Sequence, residues 1–235
     1  SGLAVAWAEE NTRDSIFKAF KRKETFATTG TRLAVRFFGG YDLSLIDLNS
    51  DNMVSEAYKN GVTMGADLLS NGDKVPEFIV WAQKDKYGAP LQRVQIIKGW
   101  MDSISGRPNE KVFDVVCSDG NAVDPVTHRC PDNGAKVNIN DCSFSKNLGS
   151  SELKTHWIDP EFDSSNKAFY YVRVLENPTC RWSTWDAVKR GFKPREDLHE
   201  TIQERAWSSP IWYIPDPSNV EVIPLGGTVR LRSST

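Results

Sequence analysis

Trp7, Glu9 and Arg13 fall together in the run Trp7-Ala8-Glu9-Glu10-Asn11-Thr12-Arg13. An aromatic ring, paired carboxylates and a guanidinium so close in sequence can hold a polar substrate. The run sits where an apolar strand gives way to a helix, the edge at which α/β folds collect their sites. The plainer reading is acidic residues placed before a helix N-terminus, beside a packed tryptophan. A second constellation is Glu176-Asn177-Pro178-Thr179-Cys180-Arg181-Trp182-Ser183-Thr184-Trp185, which Gln203-Glu204-Arg205-Ala206-Trp207 resembles in composition. Arg181 and Arg205 can bind a sulfate or phosphate ester, with Trp182 and Trp207 flooring a pocket for an aryl group. The competing reading is an arginine–tryptophan–carboxylate clamp, with Arg181 and Arg205 against Glu176 and Glu204.

Cys117, His128, Cys130 and Cys142 raise the question of zinc. Structural zinc sites bring their ligands in close pairs, and here only His128 and Cys130 are close. Ser118-Asp119-Gly120-Asn121 does not continue as a calcium loop. His128, His156 and His199 are scattered, and no H-x-H, H-E-x-x-H, G-x-S-x-G, Walker or G-x-G-x-x-G signature occurs. The residues offer no complete catalytic centre and no metal ligands. Four cysteines in turn-rich surroundings fit disulfides in an oxidising compartment, with Cys117–Cys130 the expected bridge.

The elements that must position these residues divide at residue 40. Residues 3–7 read as a buried strand. A helix follows, capped by Asn11, with Ile16, Phe17, Ala19 and Phe20 on one face. The stretch 25–30 is turn-like, and a strand over 33–38 is stopped by Gly39-Gly40. Strand, helix and strand form a βαβ-like closing piece of an α/β domain over residues 1–40. Residues 41–235 have mostly a period of two, with strands at 78–82, 92–98, 111–117, 137–142, 169–175, 211–214, 220–223 and 228–232. That pattern predicts an antiparallel β-sandwich. Short helices near 52–59 and 184–190 end at Gly61 and Gly191, each read as a left-handed stop. The apolar start at residue 3 reads as a strand within a longer protein.

Composition narrows the function classes. The 235 residues are 39% hydrophobic and 26% charged, with a net charge of −2, which argues against nucleic acid or an anionic membrane as partner. No apolar run is long enough to span a bilayer.

Several strings are more specific. Val35-Arg36-Phe37-Phe38-Gly39-Gly40, Leu91 through Trp100, Arg129 through Ala135, Glu176 through Trp185 and Thr201 through Tyr213 resemble the family called domain of unknown function 3604. The segment from Gly2 to Gly30 looks like the closing segment of PHP-type metallohydrolases. The resemblance implies the C-terminal part of a periplasmic or secreted bacterial metal-dependent ester hydrolase. On that reading residues 1–40 close a PHP-type barrel, and the sandwich walls its site. The metal ligands, for a divalent Mn, Zn or Fe, and the rest of the catalytic barrel lie upstream. Trp7, Glu9, Arg13, Arg181 and Trp182 face a small anionic ester. The rival expectation is a stand-alone sandwich that binds carbohydrate or protein.

Overall fold

The computed structural model describes residues 2–102 and 105–216, so the strands expected at 220–223 and 228–232 lie outside the described residues. The first part of the chain runs β1 (Leu3–Ala6), α1 (Arg13–Lys21), β2 (Thr25–Thr28), β3 (Ala34–Gly40), α2 (Met53–Asn60), β4 (Gly61–Thr63) and β5 (Asp67–Leu69). The middle follows as β6 (Glu77–Gln83), β7 (Leu91–Met101), β8 (Pro108–Cys117), β9 (Val137–Asn138), β10 (Ser143–Phe144) and β11 (Glu152–Ile158). The last described part is β12 (Ala168–Glu176), β13 (Thr179–Cys180), α3 (Trp182–Arg190), β14 (Thr201–Ile202), β15 (Arg205–Ser208) and β16 (Ile211–Ile214).

Strand β12 organises the larger, eight-stranded sheet. One edge of β12 pairs along its length with β7, which in turn pairs with β8. Its other edge is shared by β15 and β16, which are separated by Ser209-Pro210. Proline has no amide to give to a ladder, so pairing breaks there. The break lets β15 pair outward with β2, and β16 with β5. The β5–β16 pairing is parallel and the others in this sheet are antiparallel. The smaller sheet runs β11-β6-β3-β4 and is antiparallel throughout.

The two sheets face each other across one core. Val35, Phe37, Phe78 and Val80 of the small sheet meet Val94, Ile96, Phe113, Tyr170, Val172 and Val174 of the large one. The alternate residues of the small sheet, Phe38 and Ile79, point the other way and are covered by Met53 and Ala57 of α2 with Leu43 and Ile46. By the same alternation Arg93, Gln95, Phe169, Tyr171, Arg173, Arg205 and Trp212 lie on the outer face of the large sheet.

The expected PHP-type barrel closure is corrected: among the described residues no sheet closes on itself. Strand β1 and strand β2 are antiparallel neighbours, so β1–α1–β2 is not a right-handed parallel crossover. A crossover helix must bury a stripe on its sheet. Helix α1 buries Ala19, whereas Phe17 and Phe20 are 59% and 52% exposed. Strand β3 joins the other sheet. Local expectations shift as well. The stretch 25–30 begins with strand β2 instead of a turn. Thr12, not Asn11, caps α1, accepting from the Ser15 amide. Gly191 is left-handed at φ 69, but Gly61 is extended at φ −149 because it starts β4 directly. The strand expected at 137–142 is a two-residue rung, Val137–Asn138, that turns back into Ser143–Phe144.

Cys117 is bonded to Cys130, and Cys142 to Cys180. The second bridge went unread because Cys180 is remote in sequence. On a chain-entropy model the two loops, of 13 and 38 residues, constrain the unfolded chain by about 3 and about 4 kcal/mol. Thiol titration of the denatured, unreduced chain is expected to find no free thiol. Two or more would contradict the pairing.

Candidate functional site

A cleft of about 680 Å³ opens at the end of the large sheet where β7, β12 and β15 meet. Arg93, Arg181 and Arg205 line it with His199 and Gln203, against one carboxylate, Asp132. Its floor follows from strand register. Leu175 of β12 stands between Arg93 of β7 and Arg205 of β15, and the adjacent outward position on β12 is Arg173. Burial lowers the Arg173 pKa, and the neighbouring Arg205 and Arg93 charges push the same way.

The walls are loops held by covalent and polar ties. Pairing of Thr179 with Ile202 and of Cys180 with Thr201 sets Arg181 at the mouth, just before α3. The Arg181 amide donates to Glu200 O at 2.9 Å, and its Nε donates to His199 O at 3.1 Å. Thr184 Oγ1 adds a bond to Glu200 O at 2.8 Å. Opposite, Cys130 is fixed by its disulfide and by its amide, which donates to Asp114 Oδ2 at 2.7 Å. Asn133 ties the loop to the sheet, donating to Asn177 Oδ1 at 2.9 Å and accepting from Gln92 Nε2 at 3.3 Å. Gln203 Nε2 donates to Gln92 Oε1 at 2.9 Å.

The guanidiniums are underused by the protein. The Nε atoms of Arg93 and Arg205 are buried without a hydrogen-bond partner. Arg93 Nε lies 3.7 Å from Asp114 Oδ2, an ion-pair distance beyond hydrogen-bond reach. Among the described residues, Arg181 and Arg205 have no carboxylate within ion-pair distance. The clamp with Glu176 and Glu204 therefore does not form. Glu204 instead accepts from the Thr29 hydroxyl, and Glu176 is buried with neither carboxyl oxygen hydrogen-bonded.

Trp7 and Glu9 line a separate cleft of about 520 Å³ with Arg22, Glu24, Arg36 and Tyr58. Trp7 Nε1 donates to Val35 O at 2.9 Å, and the Arg36 guanidinium stacks 3.7 Å over its ring. The buried Glu24 accepts from the Tyr58 hydroxyl, from Thr63 Oγ1 at 3.2 Å and from Arg22. Burial, then the bond to Glu24, raises the Tyr58 pKa. This network is satisfied within the protein, which suits a structural role. The structure thus does not bring the Trp7 and Arg181 regions to one cleft. Arg13 and Trp182 line neither, and Trp182 is 69% exposed on α3. Arg93 was not singled out in the sequence, and Gln203 only as part of the motif from Gln203 to Trp207. The signal for Arg93 was present, as a polar position alternating with Val94 and Ile96 in a strand that otherwise reads as core.

Among the described residues there is no group of three or more His, Cys, Asp or Glu side chains placed to hold a metal. With no closed barrel among the described residues either, the expected PHP-like metallohydrolase is corrected for this chain. No described helix is long and apolar enough to cross a membrane. In comparisons with known proteins, a family model described as "Protein of unknown function (DUF3604)" matches residues 1–215, and the chain belongs to that family. No curated protein and no solved structure matches it.

Proposed function

For this member of the DUF3604 family, we propose a ligand-recognition module whose arginine-lined cleft binds a small anionic ligand such as a carboxylate, sulfate or phosphate ester. The observation that carries the reading is the pair of buried Nε donors of Arg93 and Arg205 that make no hydrogen bond, in a cleft lined by three arginines and one carboxylate. Burying a guanidinium donor without an acceptor is costly, and an anion entering the cleft would supply acceptors to several donors together. Arg181, whose Nε is used to hold the 199–200 backbone, keeps its terminal nitrogens for the ligand. The two disulfides fit an oxidising setting, so a periplasmic or secreted location belongs to the same proposal. Within a longer protein the module would wall a neighbouring site. An upstream catalytic unit and a divalent metal are proposals of the same kind, and metal analysis of a longer polypeptide tests them.

Calorimetric titration of the chain with sulfate, phosphate and an organic carboxylate tests the cleft. Arg181→Ala is expected to weaken binding about tenfold or more, equivalent to about 1.4 kcal/mol, while the melting temperature holds nearly constant. An unchanged affinity, or a loss of stability alone, would rule out the binding role of Arg181.

A further inference from the structure

The arginine cleft occupies only one end of the outer face of the large sheet. At the other end, Trp212 of β16 pairs with Phe169 of β12, their ring centroids 5.1 Å apart. Phe169 lies nearly parallel to Tyr171, at 6.3 Å and 16°. Gly99 makes room for this arrangement, since a Cβ there would stand 2.2 Å from the tip of the Phe169 ring. Trp100, Met101, Phe169 and Trp212 line a cleft of about 510 Å³ at this end. Trp212 is 37% exposed, although aromatic side chains of that size are usually well buried. The next outward row sets Arg173 beside Trp207, and the last brings Arg93 and Arg205 to either side of Leu175. Along β12 the face thus passes from aromatic rings to guanidiniums within one strand.

We infer that this face binds an acidic oligosaccharide laid along β12, with an acid group in the arginine cleft and sugar rings over Trp212, Phe169 and Tyr171. The inference rests on the anion-binding reading of the cleft and names its ligand class. Three arguments carry it. From residue 169 to residue 175 an extended strand covers about 20 Å, longer than a small ester and suited to several linked rings. The C–H faces of a pyranose are apolar and slightly positive, which complements the negative face of an aromatic ring. A uronate carboxylate or sugar sulfate meets the planar forks of the guanidiniums in the geometry they favour. A single-stranded polynucleotide fits less well. It carries a phosphate at every step, whereas the three cleft arginines gather at one end, Lys167 at the other end stands with the carboxylate of Glu110, and the chain has a net charge of −2.

The test uses the purified chain and six probes: galacturonic acid, its linear hexamer, a neutral glucose hexamer, an oligothymidylate of similar length, and inorganic sulfate and phosphate. The acidic hexamer is expected to bind about tenfold or more tightly than the monomer, and the neutral hexamer more weakly than either acid. Trp212→Ala should abolish the gain from length and leave monomer affinity unchanged, with Arg205→Gln weakening both acids. Circular dichroism of each variant checks that it is folded. Equal affinity for monomer and hexamer would overturn the extended site and leave the anion cleft standing. Binding of inorganic sulfate or phosphate without either uronate would overturn the sugar assignment. Failure of every anion to bind would overturn the cleft reading itself. Tighter binding of the oligothymidylate would reassign the face to nucleic acid.

Discussion

Asp159→Ala is expected to destabilise the fold by about 3–5 kcal/mol, the largest single-residue loss foreseen here. Asp159 follows β11 of the small sheet, and Lys98 lies on β7 of the large one. Their charges meet at 2.5 Å with side chains 0% and 5% exposed. Every strong contact of the pair is internal. Tyr170 Oη donates to Asp159 Oδ2 at 2.8 Å, the Glu161 amide to Asp159 Oδ1 at 2.9 Å, and Lys98 Nζ to Glu161 O at 2.7 Å. Burial, then the Asp159 charge, pushes the Tyr170 phenol well above its ordinary pKa, so it remains a donor. Alanine at 159 strands a buried ammonium, and the loss comes mostly from that uncompensated charge. Lys98→Met combined with Asp159→Leu should therefore recover much of it, a non-additivity that a double-mutant cycle in urea would measure. A loss below about 1 kcal/mol in the single variant would show that the pair is hydrated and unimportant.

Glu176→Gln should stabilise the protein near pH 8 relative to its effect near pH 4.5, by about 3 kcal/mol between the two conditions. Glu176 ends β12, 1% exposed. Burial is the main cause that raises its pKa from 4.5 to about 7. The charges of Glu204 and Asp85 add to it, while the charge of Lys84 opposes it. The folded state thus holds a proton that the unfolded state releases above its own lower pKa. The stability this proton supplies is full below about pH 4.5, falls as the pH rises, and is gone above about pH 7. Glutamine has no proton to lose, so the variant removes that slope. Any cost of an unsatisfied amide is the same at both pH values and cancels in the comparison. Urea midpoints of both proteins at the two pH values suffice, and parallel pH profiles would refute the buried acid.

What was legible in the sequence followed from periodicity over long segments. Strands β6, β7, β8 and β12 were read within a few residues because Phe78-Ile79-Val80 and Val94-Gln95-Ile96 carry long apolar or alternating patterns. Strand β11, with Lys154, Thr155 and His156 in its middle, was missed because its partly exposed face dilutes the signal. Strand β15 was read only as a motif, since four residues cannot establish a period. The barrel expectation failed on a different link. Strand, helix and strand in sequence look alike whether the second strand returns parallel or antiparallel, and the exposure of Phe17 and Phe20 is a tertiary fact. The site divided similarly. Arg181 and Arg205 were visible as unusual composition. Their convergence with Arg93 depends on the register of three strands, with Leu175 between Arg93 and Arg205.

Considered as a tether under tension, the chain is much shorter than its residue count. The bridge between Cys142 and Cys180 takes 38 residues, including β11 and all of β12, out of the load-bearing path and leaves a step of 5.5 Å between α-carbons. The bridge between Cys117 and Cys130 removes a further 13. At about 3.5 Å per residue, roughly 170 Å of extensible length is locked away. A pull on the two ends, as when a chain is held between attachment points, can load β7 and β8 but cannot extend β12 itself while the bridges last. The force passes instead through two sulfur links at the rim of the arginine cleft, so the organising strand of the large sheet is the part of the molecule best shielded from mechanical extension.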